Sequence, residues 1–229
     1  MKKGFEGGKD VRIMLVGDVV GRAGRRAFRT ITPRLRAERK VDVVIVNGEN
    51  SAGGKGFTRK ALDELYAGGA DIVTSGNHVW DKKDVFAFID EDPFLVRPAN
   101  YPEGTPGQGY CIFPFKAVNI AVMNLSGRSF MPALDCPFQK ADNILAEIEG
   151  KADIIVLDFH AETTSEKLAM AHYMDGRVDS VVEEALPQSA HDQLCDRLVL
   201  LPTTGTEGLE EDAQLITHRE EWCLQPRER

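Results

Sequence analysis

At 229 residues the chain has room for one α/β domain with a sizeable core, or for two small ones at most. Its 42% hydrophobic and 28% charged content excludes a disordered chain and a membrane protein. No run reaches the roughly 18 apolar residues of a spanning helix, the basic start Met1-Lys2-Lys3 lacks the apolar stretch of a secretory signal, and four scattered cysteines with no C-x-x-C pair exclude a zinc knuckle or a disulfide framework. A cytoplasmic protein with reduced thiols is expected.

The net charge of −8 is unevenly spread, because residues 1–60 carry 15 Lys/Arg against 6 Asp/Glu and residues 183–229 carry 4 against 11. A basic N-terminal third attracts phosphate-bearing ligands, although scattered Arg on a solvated helix face is the commoner explanation.

In chain order, Val11–Val16 is an apolar run that stops at Gly17-Asp18-Val19-Val20-Gly21, the pattern of a buried parallel strand feeding a loop. The glycines there lack the G-x-G-x-x-G spacing of a dinucleotide site. Residues 23–35 predict a basic helix that Pro33 should end or kink. Val41–Val46 repeats the strand pattern and ends in Asn47-Gly48-Glu49-Asn50. The glycine-rich loop after it lacks P-loop order, and Thr58 predicts the cap of a helix through about Ala67.

The run Ala70–Thr74 leads into Gly76-Asn77-His78-Val79-Trp80-Asp81, where an amide and an imidazole stand at a strand end, the place where α/β folds commonly hold ligands. Asp81 predicts the cap of a helix from Lys82 to about Ile89, whose apolar Val85, Phe86 and Ile89 share one face. The Pro- and Gly-rich stretch Arg97–Gly109 predicts a long loop at the mouth of the site. Tyr110–Phe115 and Val118–Asn124 read as an antiparallel pair that opens a second sheet, followed by a loop whose Arg128 is a candidate phosphate contact. Lys140–Ile148 predicts a helix, Asp153–Phe159 a buried strand delivering His160, Ser165 the cap of a further helix through Tyr173, and Gly176–Val182 a last strand.

Asp18, Glu49, Asn50, Asn77 and His160 each follow a predicted strand, which gathers carboxylate, carboxamide and imidazole along one rim. That donor set suits Mn, Fe or Zn better than Ca or Mg. A carboxylate between two such clusters can bridge two ions about 3.5–4 Å apart, an arrangement that stabilises displacement at phosphorus. Glu49 is the natural bridge. His78, beside a ligand without needing to be one, is free to act as general acid.

These residues resemble the calcineurin-like metallophosphoesterases, and within them the YmdB-like branch of 2′,3′-cyclic-nucleotide phosphodiesterases. The likeness rests on Gly17–Gly21, Asn47–Asn50, Gly76–Asp81, Arg97–Asn100, Gly127–Met131 and Asp158-Phe159-His160-Ala161-Glu162 in order, with Asp18-Val19-Val20 and Gly48-Glu49 pointing to this branch. The resemblance implies a four-layer α-β-β-α sandwich and a dinuclear centre of divalent or trivalent transition metals, Fe or Mn ahead of Zn. Asp18 would hold one ion, Glu49 would bridge, Asn50, Asn77 and His160 would complete part of both ligand sets, and His78 would be the general acid. The implied activity is hydrolysis of a phosphodiester or cyclic nucleotide of the 2′,3′-cAMP type, with metal-activated water as nucleophile. No membrane and no specific nucleic-acid partner is expected, and homo-oligomerisation is open.

One departure qualifies this reading. The family carries a G-T-H-T-H type segment just after the strand at Val178–Val182, whereas this chain has Glu183–Asp192 there and no H-x-H anywhere. An altered reading frame or a gene rearrangement near codon 183 would account for it. The chain therefore divides into a metallophosphoesterase domain over 1–182, incomplete at its C-terminal end, and a divergent acidic tail over 183–229. His191 and His218 are the candidate replacement ligands. The alternative function is an impaired or inactive relative that acts by binding.

Overall fold

A computed structural model describes residues 11–182. Two four-stranded sheets form the centre. The first holds β1 (Ile13–Val16), β2 (Val43–Asn47), β3 (Ile72–Thr74) and β4 (Leu95–Val96) in that order, all parallel. The second holds β5 (Tyr110–Phe115), β6 (Val118–Ser126), β7 (Ile154–His160) and β8 (Ser180–Val182), antiparallel between β5 and β6 and parallel beyond.

Alternating strand residues build three apolar layers, because successive side chains point to opposite faces of a strand. Leu15, Val43, Ile45 and Ile72 from the first sheet meet Ile120, Val122, Ile154 and Val156 from the second, which fixes sheet against sheet. On the outer face of the first sheet, Met14, Val44 and Val46 pack against Phe28 and Leu35 of α1 (Gly21–Glu38) and Leu62 and Leu65 of α2 (Arg59–Ala67). On the outer face of the second, Met123, Leu125, Leu157 and Phe159 receive Ala141 and Ile144 of α3 (Pro137–Glu147) and Met170 and Met174 of α4 (Thr164–Met174). The expected α-β-β-α sandwich is the observed one. The 183–229 tail, with His191 and His218, lies outside the described residues.

Local chemistry explains two of the helix starts. Thr58 Oγ1 accepts from the Ala61 amide at 3.3 Å, as read from the sequence, and such a cap stabilises a helix by about 1 kcal/mol. Four local readings are corrected. Pro33 does not end α1, since Phe28, Thr32 and Leu35 on one buried face and the Arg36 side chain, bonded to Gly69 O, Asp42 O and the Asp71 carboxylate, hold the helix past it to Glu38. The segment after Asp81 forms only a short 3₁₀ helix, Lys83–Ala87, without a side-chain cap, because the Asp81 carboxylate bonds the His78 ring instead. Phe86 points outward from that turn at 53% exposure and stacks on Trp80. The cap of α4 is Thr163, whose side chain accepts from the Glu166 amide, and not Ser165. The two-residue strand β4, hidden in the sequence by its length, closes the edge of the first sheet.

The Arg97–Gly109 loop is ordered by its own first residue. Buried Arg97 donates to the carbonyls of Pro98, Thr105 and Pro106 at 2.8–2.9 Å, so one guanidinium satisfies the backbone of a segment that proline prevents from pairing with itself.

Candidate metal centre

Parallel strands share a direction, so the carboxyl ends of β1, β2 and β3 open on one rim, and the end of β7 reaches the same rim from the second sheet. That topology gathers residues distant in sequence. Asp18 stands two residues beyond β1, Glu49 and Asn50 follow β2, Asn77 and His78 follow β3, and His160 is the last residue of β7.

The side chains meet through short contacts. His160 Nε2 lies 2.7 Å from Asn77 Oδ1 and 3.3 Å from Glu49 Oε1, and Asn50 Nδ2 donates to Asp18 Oδ2 at 2.7 Å and approaches Glu49 Oε1 at 3.4 Å. Glu49 sits at the centre of both groups and is fully buried. Its other oxygen, Oε2, accepts the His78 backbone N–H at 3.1 Å, while Asn47 Oδ1 holds the Glu49 amide at 3.1 Å. All five expected ligands are therefore brought together, with Glu49 between the Asp18–Asn50 and Asn77–His160 pairs.

The residues fit a metal centre on their chemistry. A buried carboxylate ordinarily needs a cation or a dense hydrogen-bond set. Neighbouring ligands of an ion with bonds of about 2.1 Å stand about 3 Å apart, which matches the spacings around His160 Nε2. Among the described residues no three His, Cys, Asp or Glu side chains cluster closely enough to hold an ion alone, so an ion here would draw on the amides of Asn50 and Asn77 as well. Asn50 turns its Nδ2 toward the carboxylates, and a rotation of the amide about χ2 would present oxygen to an ion instead.

Two residues of the site escape a sequence reading. Asp81 Oδ2 accepts from His78 Nδ1 at 2.9 Å, which fixes the ring and leaves Nε2 for a ligand. The i, i+3 spacing of His and Asp was the available signal, and it also fitted a helix cap. Gly76 leaves room for the centre, since a Cβ there would fall 2.3 Å from Glu49 Oε2 and 2.7 Å from His160 Cδ2.

Around the rim, Tyr101 packs edge-on against Trp80 at 5.7 Å. Burial raises the pKa of its hydroxyl, the hydrogen bond with Trp80 opposes that shift, and the Glu49 and Asp81 carboxylates add to it. Arg128 is exposed, its backbone N–H held by the Glu166 carboxylate at 2.9 and 3.1 Å, and its guanidinium makes no hydrogen bond or ion pair among the described residues. It remains available to a phosphate.

The profile of the YmdB-like protein family matches residues 14–185, a stretch that contains the whole of this cluster. The chain belongs to the YmdB-like family. This YmdB-like chain is 51% identical over 172 residues to the 2′,3′-cyclic-nucleotide 2′-phosphodiesterase of Bacillus subtilis strain 168, covering 75% of itself and 65% of that relative. It spans under two thirds of the curated relatives it matches, at 65%, 62% and 63% of their lengths. The crystal structure of a hypothetical protein from Thermus thermophilus superposes with a TM-score of 0.74 at 35% identity, covering 95% of this chain and 89% of that one. A novel phosphatase from Mycoplasma pneumoniae follows with a TM-score of 0.72 at 33% identity, covering 77% and 64%. The sandwich is thus of the metallophosphoesterase type. No helix among the described residues is long and apolar enough to cross a membrane.

Proposed function

We propose that this YmdB-like chain is a metal-dependent phosphoester hydrolase acting on cyclic nucleotides of the 2′,3′ class. The observation that carries the reading is the convergence of Asp18, Glu49, Asn50, Asn77 and His160 on buried Glu49, with His78 beside them. The similarity to the Bacillus phosphodiesterase supports the reaction class.

Asp18 and Asn50 would hold one transition-metal ion, Asn77 and His160 a second, and Glu49 both. When bound, the pair would activate a water and neutralise charge on the phosphoryl group. The chain's own residues do the rest. Asp81 keeps the His78 ring in one orientation, and the Glu49 contact to the His78 amide fixes the backbone that carries it. A protonated His78 then delivers a proton from Nε2 to the departing ribose oxygen, a contribution of about 10²–10⁴ in rate. Arg128 meets a non-bridging phosphate oxygen with its planar fork.

Hydrolysis of 2′,3′-cAMP by the full chain after dialysis against chelator, with and without added manganese or iron, tests the proposal. Turnover that depends on added metal supports it, and absence of turnover at saturating metal rejects it. A second reading, binding without catalysis, draws on the missing H-x-H after β8. Metal binding without turnover would select it.

A further inference from the structure

Between α1 and α2 lies a cleft of about 620 Å³ lined by Arg22, Arg25, Arg26, Arg29, Lys60 and Glu64. Five cations thus share one hollow with a single anion. The four arginines sit at i, i+3, i+4 and i+7 of α1, which places them on one helix face. Glu64 is taken by Arg25, whose Nε donates to it at 2.7 Å and whose Nη1 donates to the Ser51 carbonyl. Arg22, Arg26, Arg29 and Lys60 are exposed, and their side chains make no hydrogen bond or ion pair among the described residues.

Beyond the attraction of Lys60 and Arg29 to Glu64, such an arrangement does little for the fold. Like charges at i, i+4, as in the pairs Arg22–Arg26 and Arg25–Arg29, repel on one helix face and destabilise an isolated helix. An external polyanion would relieve that repulsion, and guanidinium forks match phosphate oxygens in pairs. The cleft also adjoins the metal centre. The Gly21 amide, next to Arg22, donates to the Asn50 carbonyl at 2.9 Å, and Arg25 bonds Ser51, one residue further on.

We infer that this cleft holds the phosphate backbone of single-stranded RNA, so that the substrates of the neighbouring centre include oligoribonucleotides ending in a 2′,3′-cyclic phosphate. The inference rests on the hydrolase reading for its choice of RNA. Arg22 to Arg29 extends about 10 Å at 1.5 Å per residue, room for more than one phosphate. Recognition is of backbone charge and carries no sequence preference. A lipid surface is disfavoured, because no apolar side chain lines the hollow to enter a bilayer.

Fluorescence anisotropy with a labelled oligoadenylate of about ten nucleotides, within the usual site size for single strands, tests the proposal on the full chain. Contacts to three phosphates predict a slope of log K against log salt of about −2. The Arg22→Gln/Arg26→Gln/Arg29→Gln variant is expected to bind at least tenfold more weakly with a flatter slope, its circular dichroism unchanged. Lys60→Gln, a single exposed change, is expected to weaken binding about twofold to threefold if the triple variant does not fold. No salt-dependent binding by the parent chain, equal binding by the folded variants, or retention on phosphatidylglycerol vesicles without oligoadenylate binding would each overturn the inference. Parent chain that binds the oligonucleotide without hydrolysing 2′,3′-cAMP leaves the cleft standing and rejects the hydrolase reading, whereas hydrolysis without binding rejects the cleft alone.

Discussion

His160 Nε2 and Asn77 Oδ1 lie 2.7 Å apart although 83 residues separate them in the chain. Asn77 follows β3 of the first sheet and His160 ends β7 of the second, so this contact ties the two halves of the sandwich together at the rim where Glu49 is buried. The geometry of that junction and of the core behind it leads to four expectations.

Glu49 touches both ligand pairs, so Glu49→Gln should remove both metals together. Removing the charge leaves oxygen and nitrogen in place but takes away the one carboxylate common to the two pairs. Metal content of the purified variant by inductively coupled plasma mass spectrometry reads the outcome, and retention of two ions per chain would show that Glu49 is not a bridge.

His78 is assigned a proton, not a metal. His78→Ala should therefore lower kcat by about 10²–10⁴-fold while leaving metal content unchanged. Asp81→Asn should lower kcat by a smaller factor with little change in KM, since it loosens the ring without removing it. Loss of bound metal in His78→Ala would overturn the assignment.

Gly76→Ala tests the close approach of backbone to carboxylate. The added methyl would stand 2.3 Å from Glu49 Oε2 and 2.7 Å from the His160 ring, so the site must shift. Overpacking of this kind costs about 1–3 kcal/mol. A thermal melt should show a lowered Tm together with reduced metal content, and a melt identical to the parent's would contradict the cradle described for Gly76.

Cys111 gives a pH dependence of its own, independent of the rim. Burial pushes its thiol up to about 12 from 9.0, with the Asp92 carboxylate adding to the rise and a backbone hydrogen bond from Val122 opposing it. The native state then keeps a proton that the unfolded chain releases, so the contribution of Cys111 is complete below about pH 9 and is lost as pH rises toward 12. Urea unfolding midpoints between about pH 8 and 10.5 should fall more steeply for the parent than for Cys111→Ala. Parallel curves would mean that the thiol is not protected.

Much of the rim was legible in the sequence. Apolar runs ending in Asp18, Glu49, Asn77 and His160 carry their own signal, because a buried parallel strand is a continuous apolar stretch and its carboxyl end is where polar residues resume. The Thr58 cap and the Val118 strand pairing were equally local. Asp81 is ambiguous in the sequence because the same residue at the same spacing suits a helix start and a histidine partner, and only the fold decides which donor reaches it first.

By itself, the sequence determined most of the succession of strands and helices, the two-residue β4 and the turn after Asp81 excepted, together with the identity of the polar residues at each strand end and the family to which the chain belongs, since these depend on periodicity and on residue type within short windows. Only the tertiary structure decided that Asp18, Asn50, Asn77 and His160 converge on one buried carboxylate, that α1 continues past Pro33, that Gly76 must lack a side chain and that five cations from two helices face one cleft. These rest mainly on contacts between residues far apart along the chain, whose distances are set by how two sheets and their covering helices pack, which no local pattern encodes.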